Sequence, residues 1–261
     1  MDLGLNDKLA VVTAASEGLG YGCAETLARE GAGVVICSRS ADKLEKAVKA
    51  LSAWSDRVFA YPCDLGDLNS LKAFIKIVED RHGAPDILVV STNHPPTKPF
   101  SQATPDEWQQ GHDLLIRPAV TLCRAWLPGM KDKMYGRITV IGSIFGREHE
   151  ESSVIQSTYR TGLAGFVKCI AREYAPYNIS ANIICPGYFD TPLVRNLARQ
   201  YAESLNKPVE GVLDDWKKAS PADRYGALAE MGALTALLSS SLGGFISGSA
   251  VTIDGATTRS T

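Results

Sequence analysis

The run TAASEGLG at 13–20 follows directly on the Val-rich apolar segment KLAVVTA and leads into a helical pattern that begins near Leu19. In such a turn Gly18 and Gly20 allow close backbone approach and tight helix packing, so that the N–H groups and dipole of the helix start can meet a pyrophosphate. A glycine pair alone is a weak signal. Its place at the first strand-to-helix turn of a βαβ unit supplies the context the motif needs. At the end of the next apolar run, GVVICSRS at 33–40, Ser38 and Arg39 stand where an NAD-preferring site holds an acidic residue for the ribose 2′-hydroxyl. Arginine there pairs with a 2′-phosphate, which favours NADP(H) over NAD(H); the plainer alternative is a solvated residue at a helix start. Ser16 adds a hydroxyl for the same phosphate, with Glu17 a repulsive neighbour if it turns inward.

The elements that must position these residues are legible as a pattern. Apolar runs rich in Val and Ile recur at 8–14, 33–38, 57–62, 86–91, 136–143, 179–185 and 249–255, and read as buried parallel strands. Between them lie helical spacings at 21–29, 41–53, 68–81, 104–131, 155–177 and 227–240. The alternation predicts an α/β fold: one doubly wound parallel sheet of about seven strands with helices on both faces, in a single domain over 1–261. The stretch 188–225 is the exception. It carries a helical pattern at 193–205 and Pro192, Pro208 and Pro221, and is expected to be either a substrate lid or a packed helical insertion. Its Tyr188, Phe189, Leu193, Leu197 and Tyr201 suggest an apolar wall.

Composition narrows the function classes. With 45% hydrophobic and 21% charged residues a sizeable core is expected, and 27 basic against 29 acidic side chains leave a net charge of −2. There is no global basic footprint for nucleic acid or an anionic membrane, so a small-molecule partner is expected. Cys23, Cys37, Cys63, Cys123, Cys169 and Cys185 form no C-x-x-C pair and mostly sit in apolar runs, which favours packing in a reducing compartment over disulfides or zinc. His82, His94 and His112 lack metal-ligand spacing, so no metal site is expected and surface or helix-end positions are the simpler reading. No targeting segment or long apolar span is seen, and a cytoplasmic location is the expectation.

Taken in order, these motifs resemble the classical short-chain dehydrogenase/reductase family over nearly the whole chain. Its turn T-G-x-x-x-G-x-G is matched by Thr13, Ala14, Gly18 and Gly20, with alanine replacing the first glycine. Asp64 in CDLGD resembles the family's adenine-side aspartate, PGYFDT at 186–191 its proline–glycine turn and threonine beside the nicotinamide, and SGSAVTIDG at 247–255 its closing strand. Among relatives the 3-oxoacyl carrier-protein reductase-like branch is the most similar. The resemblance implies a Rossmann fold, a carbonyl or alcohol substrate, and a homotetramer or homodimer through the fourth and fifth helices, to which the apolar run at 114–127 fits. It also implies cofactor contacts at Thr13, Ala15, Ser16, Gly18, Leu19, Gly20, Ser38, Arg39, Asp64, Leu65, Ser91, Arg160, Pro186, Gly187 and Thr191.

The reacting end departs from that pattern. The family's N-N-A-G reads Val90, Ser91, Thr92, Asn93 here, and its active-site asparagine falls on Leu115. Its serine is matched by Ser143, at the C-terminal end of the fifth strand where open α/β sheets place ligands. Its tyrosine and lysine fall on Gln156 and Arg160, in a register fixed by Gly165 and Glu173. Glutamine cannot titrate, so Gln156 and Ser143 can polarise a carbonyl while acid catalysis at Gln156 is lost. Arg160 keeps the charge and can fork onto ribose hydroxyls, but is no acid near neutrality. Three sources of the proton are open: Tyr159, which can equally be a packed tyrosine; His149 in the REHEE loop, which can equally be solvated; or water or the substrate itself. A Ser143–His149–Asp190 triad lacks the G-x-S-x-G elbow. An NADP(H)-dependent ketone/alcohol oxidoreductase therefore stands against a nucleotide-binding protein that has lost catalysis.

Overall fold

The computed structural model describes residues 2–260. Seven strands alternate with helices: β1 (Leu9–Val12), α1 (Gly18–Arg29), β2 (Gly33–Ser38), α2 (Ala41–Leu51), β3 (Val58–Pro62), α3 (Leu68–His82), β4 (Ile87–Val90), α4 (Pro105–Asp132), β5 (Gly136–Ile141), α5 (Val154–Tyr174), β6 (Ile179–Pro186), α6 (Pro192–Leu205), α7 (Val209–Lys218), α8 (Leu228–Ser239) and β7 (Ala250–Ile253). All neighbouring strands are parallel, in the order β3-β2-β1-β4-β5-β6-β7. The order reverses between β1 and β4, and such a reversal opens a crevice at the C-terminal ends of the strands.

The continuous apolar strands are explained by burial on both faces. Val11, Val35, Cys37, Leu88 and Val90 pack under α3, α4 and α5, while their neighbours Ala10, Val12, Val34, Ile36, Ile87 and Val89 pack under α1, α2 and α8. Period-two alternation thus splits one run between two cores. On the first side the fully buried Trp126 meets Phe74 edge-on at 6.3 Å, an arrangement worth about 1 kcal/mol beyond its buried area.

Helix ends follow local chemistry. Thr104 Oγ1 accepts from Glu107 N at 3.3 Å and Glu107 Oε2 accepts from Thr104 N at 3.0 Å, a reciprocal box with Pro105 in the first turn that starts α4. Arg137, buried on β5, gives its guanidinium to the carbonyls of Ser240 (3.0 Å), Gly136 (2.9 Å) and Asn178 (2.8 Å), and so ties the end of α8 to the β5–β6 edge.

The segment 188–225 holds two helices where the sequence showed one pattern. The second, α7, is short, amphipathic and interrupted by Gly211, so periodicity marked it weakly; Pro208 before it and Lys217 and Lys218 at its end were the available signals. Ala198, Ala202 and Val212 form a small core of their own between α6 and α7. Phe189 turns into the core beneath α1 and α8, while Leu193 and Tyr201 are exposed, so the expected wall is only partly apolar.

Candidate active site

The phosphate turn is built where β1 ends. Thr13 Oγ1 donates to Ser91 O at 2.6 Å and accepts from Ser91 N at 3.0 Å, joining the ends of β1 and β4 at the point of strand reversal. Thr13 and Ala15, both expected at the cofactor, are fully buried, and their side chains brace the turn from beneath. Ala14 takes a φ of +47°, the left-handed region that favours glycine. A side chain at Gly20 would stand 2.6 Å from Ala14 O, which explains why α1 can begin directly on the turn only with glycine there. Glu17, before α1, makes no side-chain cap, and the first turn holds no acidic residue, leaving its N–H groups and positive dipole end for an anion. Thr191 starts α6 by accepting from Val194 N at 3.2 Å, and its Cβ and Cγ2 lie 3.8 Å from the Cβ position of Gly18. The start of α6 therefore faces the start of α1.

Beside the turn, Ala14, Ser16, Ser38, Arg39, Lys43 and Leu65 help line a cleft of about 160 Å³. Lys43 Nζ meets Glu17 Oε1 at 2.8 Å, which answers the charge that Glu17 would otherwise present to a phosphate. Arg39 is exposed at the cleft's edge. Asp64 Oδ1 accepts from Gly66 N at 2.9 Å and Asp64 N donates to Ser70 Oγ at 2.9 Å, fixing the loop that carries Leu65. A glycine cradle at a helix start, flanked by two cations and serine hydroxyls, fits a phosphorylated dinucleotide such as NADP(H).

At the other end, Ser143 is half-buried two residues beyond β5 and accepts from Phe145 N at 3.2 Å across a 3₁₀ turn at Ile144–Gly146. Arg160 lies behind it with 7% of its surface exposed, giving Nη1 to Ile141 O at 3.2 Å and Gly142 O at 2.5 Å. Its Nε has no partner. Burial lowers the guanidinium pKa to about 10, so Arg160 stays charged at neutral pH. Cys185, at the end of β6, receives the Ser143 backbone N–H and feels the charges of Arg147 and Arg160, yet burial holds its pKa above the ordinary thiol value. Pro186 ends β6, and Gly187 N donates to Ile253 O at 3.0 Å, so the turn expected beside the nicotinamide is anchored on β7.

The other residues expected at the reacting end each have a local partner. Gln156 is 1% exposed and its amide donates to Thr97 Oγ1 at 3.2 Å, packing it beneath the loop after β4. The Tyr159 hydroxyl donates to Trp108 O at 3.1 Å, and its ring meets Trp108 edge-on at 5.7 Å, so the residue belongs to the α4–α5 contact. Burial, then Asp113, raise its pKa, the opposite of what a catalytic tyrosine needs. His149 is exposed on its loop, with Nδ1 3.3 Å from Phe145 O. Leu115, expected at the position of the family's asparagine, is fully buried.

Sequence reasoning missed His94, which had seemed a surface or helix-end residue. It sits in the loop beyond β4, and burial followed by the Arg160 charge lower its pKa to about 4. The signal was its place one residue beyond the stretch 90–93 that matches the family's N-N-A-G loop. Among the described residues no group of His, Cys, Asp and Glu could hold a metal ion, and no helix is long and apolar enough to cross a membrane.

Comparison with known proteins agrees with this geometry. The chain is 32% identical over 255 residues to the oxidoreductase UcpA of Escherichia coli strain K12, covering 97% of this chain and 95% of that protein. The structure of L-sorbose reductase from Gluconobacter frateurii, complexed with NADPH and L-sorbose, matches with a TM-score of 0.94 and 28% identity over 100% of both chains. An NADPH-bound short chain oxidoreductase of Pseudomonas aeruginosa PAO1, containing an atypical catalytic center, matches with a TM-score of 0.87 and 27% identity over 98% of this chain and 99% of that one. The family described as short chain dehydrogenase matches residues 8–202, and with the seven-stranded parallel sheet and its glycine turn this chain belongs to that family.

Proposed function

We propose that the chain is an NADP(H)-dependent oxidoreductase that interconverts a ketone and a secondary alcohol through an altered form of its family's serine–tyrosine–lysine site. The observation that carries the reading is the rim formed by the adjacent strands β2, β1, β4 and β5, with Arg39 and the Gly18–Gly20 turn at one end and Ser143 at the other. Two relatives of the same fold that bind NADPH, one of them together with a ketose, support it.

The N–H groups of α1 hold the pyrophosphate, Ser38, Arg39 and Lys43 take the 2′-phosphate, and Asp64 and Leu65 flank the adenine. Thr191 and the Pro186–Gly187 turn close over the nicotinamide end. Bound NADP(H) supplies or accepts a hydride at the nicotinamide C4. Ser143 Oγ–H donates to the substrate oxygen, and the buried Arg160 charge behind it favours negative charge on that oxygen. Gln156 supports the loop over the site through Thr97. With Tyr159 committed to α4 and His149 in solvent, a bound water or the substrate carries the proton. The segment 188–225 acts as the substrate lid, and the likeness to the 3-oxoacyl carrier-protein reductase-like branch makes β-keto esters natural substrates to try. A homodimer or homotetramer forms through α4 and α5.

The packing of Gln156 favours a second reading, a nucleotide-binding protein without turnover. Both readings are tested by measuring NADPH and NADH binding, then NADPH consumption across ketones and β-keto esters, with wild type beside the Gln156→Tyr, Arg160→Lys double variant. Tighter NADPH binding with wild-type turnover supports the enzyme. Binding with turnover in the double variant alone supports the second reading, and absence of NADPH binding overturns both.

A further inference from the structure

Two thiols that play no part in the proposed reaction stand in the wall of the nucleotide cleft. Cys37 is the penultimate residue of β2 and Cys63 directly follows β3. The strand register pairs Cys37 with Tyr61, and Cys63 N donates to Ser38 O at 2.9 Å. Two residues beyond Tyr61, Cys63 falls on the same face of the sheet as Cys37, and both belong to the core beneath α3 and α4. Cys63 lines the cleft with Ser38, Arg39 and Lys43, while Cys37 lies fully buried behind it.

We propose that Cys37 and Cys63 are a redox-sensitive pair that closes to a disulfide under a hydroperoxide and thereby distorts the nucleotide cleft. The polarity of the pair suits this order of events. The neighbouring Cys37 thiol, and then Ser70, hold the Cys63 thiol below the ordinary range against its burial, while the Cys63 neighbour and burial push Cys37 up. Cys63 is thus the nucleophile that faces the cleft and Cys37 the resolving thiol. The Cys63 thiolate attacks one peroxide oxygen, the O–O bond breaks, and a sulfenic acid and an alcohol result. Cys37 sulfur then attacks Cys63 sulfur, the S–O bond breaks, and water leaves with the Cys37 proton. Two thiols lose two electrons in total, and the hydroperoxide gains them.

The other cysteines offer no comparable pair. Burial pushes Cys23 and Cys123 up to about 12, and Cys169 is exposed on α5. Closure brings the two sulfurs to about 2.05 Å. It draws the chain that carries Asp64 and Leu65 toward the end of β2 that carries Ser38 and Arg39, which is a movement of two cleft walls against each other.

The shielding of Cys63 by nucleotide rests on the NADP(H) reading, whereas the disulfide itself does not. The test treats the whole protein with hydrogen peroxide, with and without saturating NADPH, and maps non-reduced peptides by mass, while NADPH affinity is measured before and after oxidation. The expected result is a Cys37–Cys63 linked peptide about 2 Da lighter than the two thiol peptides together, formed at least about tenfold more slowly under NADPH because bound nucleotide covers Cys63. Oxidation should weaken NADPH binding about tenfold or more, dithiothreitol should restore it, and Cys63→Ser should abolish the sensitivity. Cys63 advancing to sulfinic acid with Cys37 free, or both thiols intact while Cys169 reacts, overturns the proposal. So does a link that leaves NADPH affinity unchanged, while one that forms equally fast under saturating NADPH overturns the shielding. A linked peptide in a protein whose reduced form binds no NADPH upholds the pair and overturns the nucleotide reading.

Discussion

Gln156 on α5 donates its side-chain amide to Thr97 Oγ1 at 3.2 Å, so this buried side chain holds the loop after β4. Pro95, Pro96 and Pro99 stiffen that loop, and its other close residue, His94, lies against the Arg160 charge. In the proposed site a packed amide stands in place of a titrating hydroxyl.

Replacing Gln156 by Ala removes the bond to Thr97 and opens space in a region with 1% exposure. A loss of about 1–3 kcal/mol in urea unfolding is expected. Thr97→Val, which leaves the buried amide without that partner, should cost about 1 kcal/mol.

Ala14 at φ +47° makes the opposite kind of prediction. A non-glycine residue in the left-handed region costs about 1–2 kcal/mol, part of which returns as the greater chain entropy of an unfolded glycine. Ala14→Gly is expected to raise the melting temperature by about 2 °C, and Ala14→Val to lower it, in scanning calorimetry.

Arg39 sets the cofactor preference if the cleft binds a 2′-phosphate. Arg39→Ala should weaken NADPH about 10–100-fold, the range of one charge-assisted bond, with NADH changed less than about threefold. Titrations of both nucleotides at two salt concentrations check this, since the NADPH term should shrink as salt rises.

His94 predicts a pH dependence. Its folded pKa of about 4 lies below the unfolded value of 6.5, so between these values the unfolded chain binds the extra proton and stability falls as the pH is lowered. The fall begins near pH 6.5 and is complete near pH 4, and amounts to at most about 3 kcal/mol. His94→Gln should flatten the stability profile in that window, measured by denaturant titration at each pH.

The order and type of the strands were readable because each is a short apolar run buried on both faces, and the glycine turn because Gly18 and Gly20 leave a spacing that survives in sequence. The direction of side chains was not. Tyr159 lies three residues after Gln156 on α5, close enough in register to suggest a shared face, yet the ring of Trp108 and its carbonyl capture it on α4, 51 residues away. His94 sits in a proline-bounded loop with no periodicity, so its place after 90–93 was the one sequence signal, and its burial against Arg160 shows only in three dimensions. Thr13 matched the family's turn but serves β4, through a bond that spans 78 residues. Local pattern fixes backbone elements; contacts over such separations are set by packing.

The most direct measurement is the ketone-dependent transfer of deuterium from C4-deuterated NADPH by the pure protein, with wild type beside Ser143→Ala. Deuterium should appear on the carbinol carbon of the product, and Ser143→Ala should slow the transfer about 10²–10³-fold while NADPH affinity stays within about twofold, because one donor to the developing alkoxide is lost and no phosphate contact is touched. Transfer at an equal rate in both proteins would contradict the role of Ser143, and NADPH binding with no transfer to any ketone or β-keto ester would contradict the oxidoreductase itself.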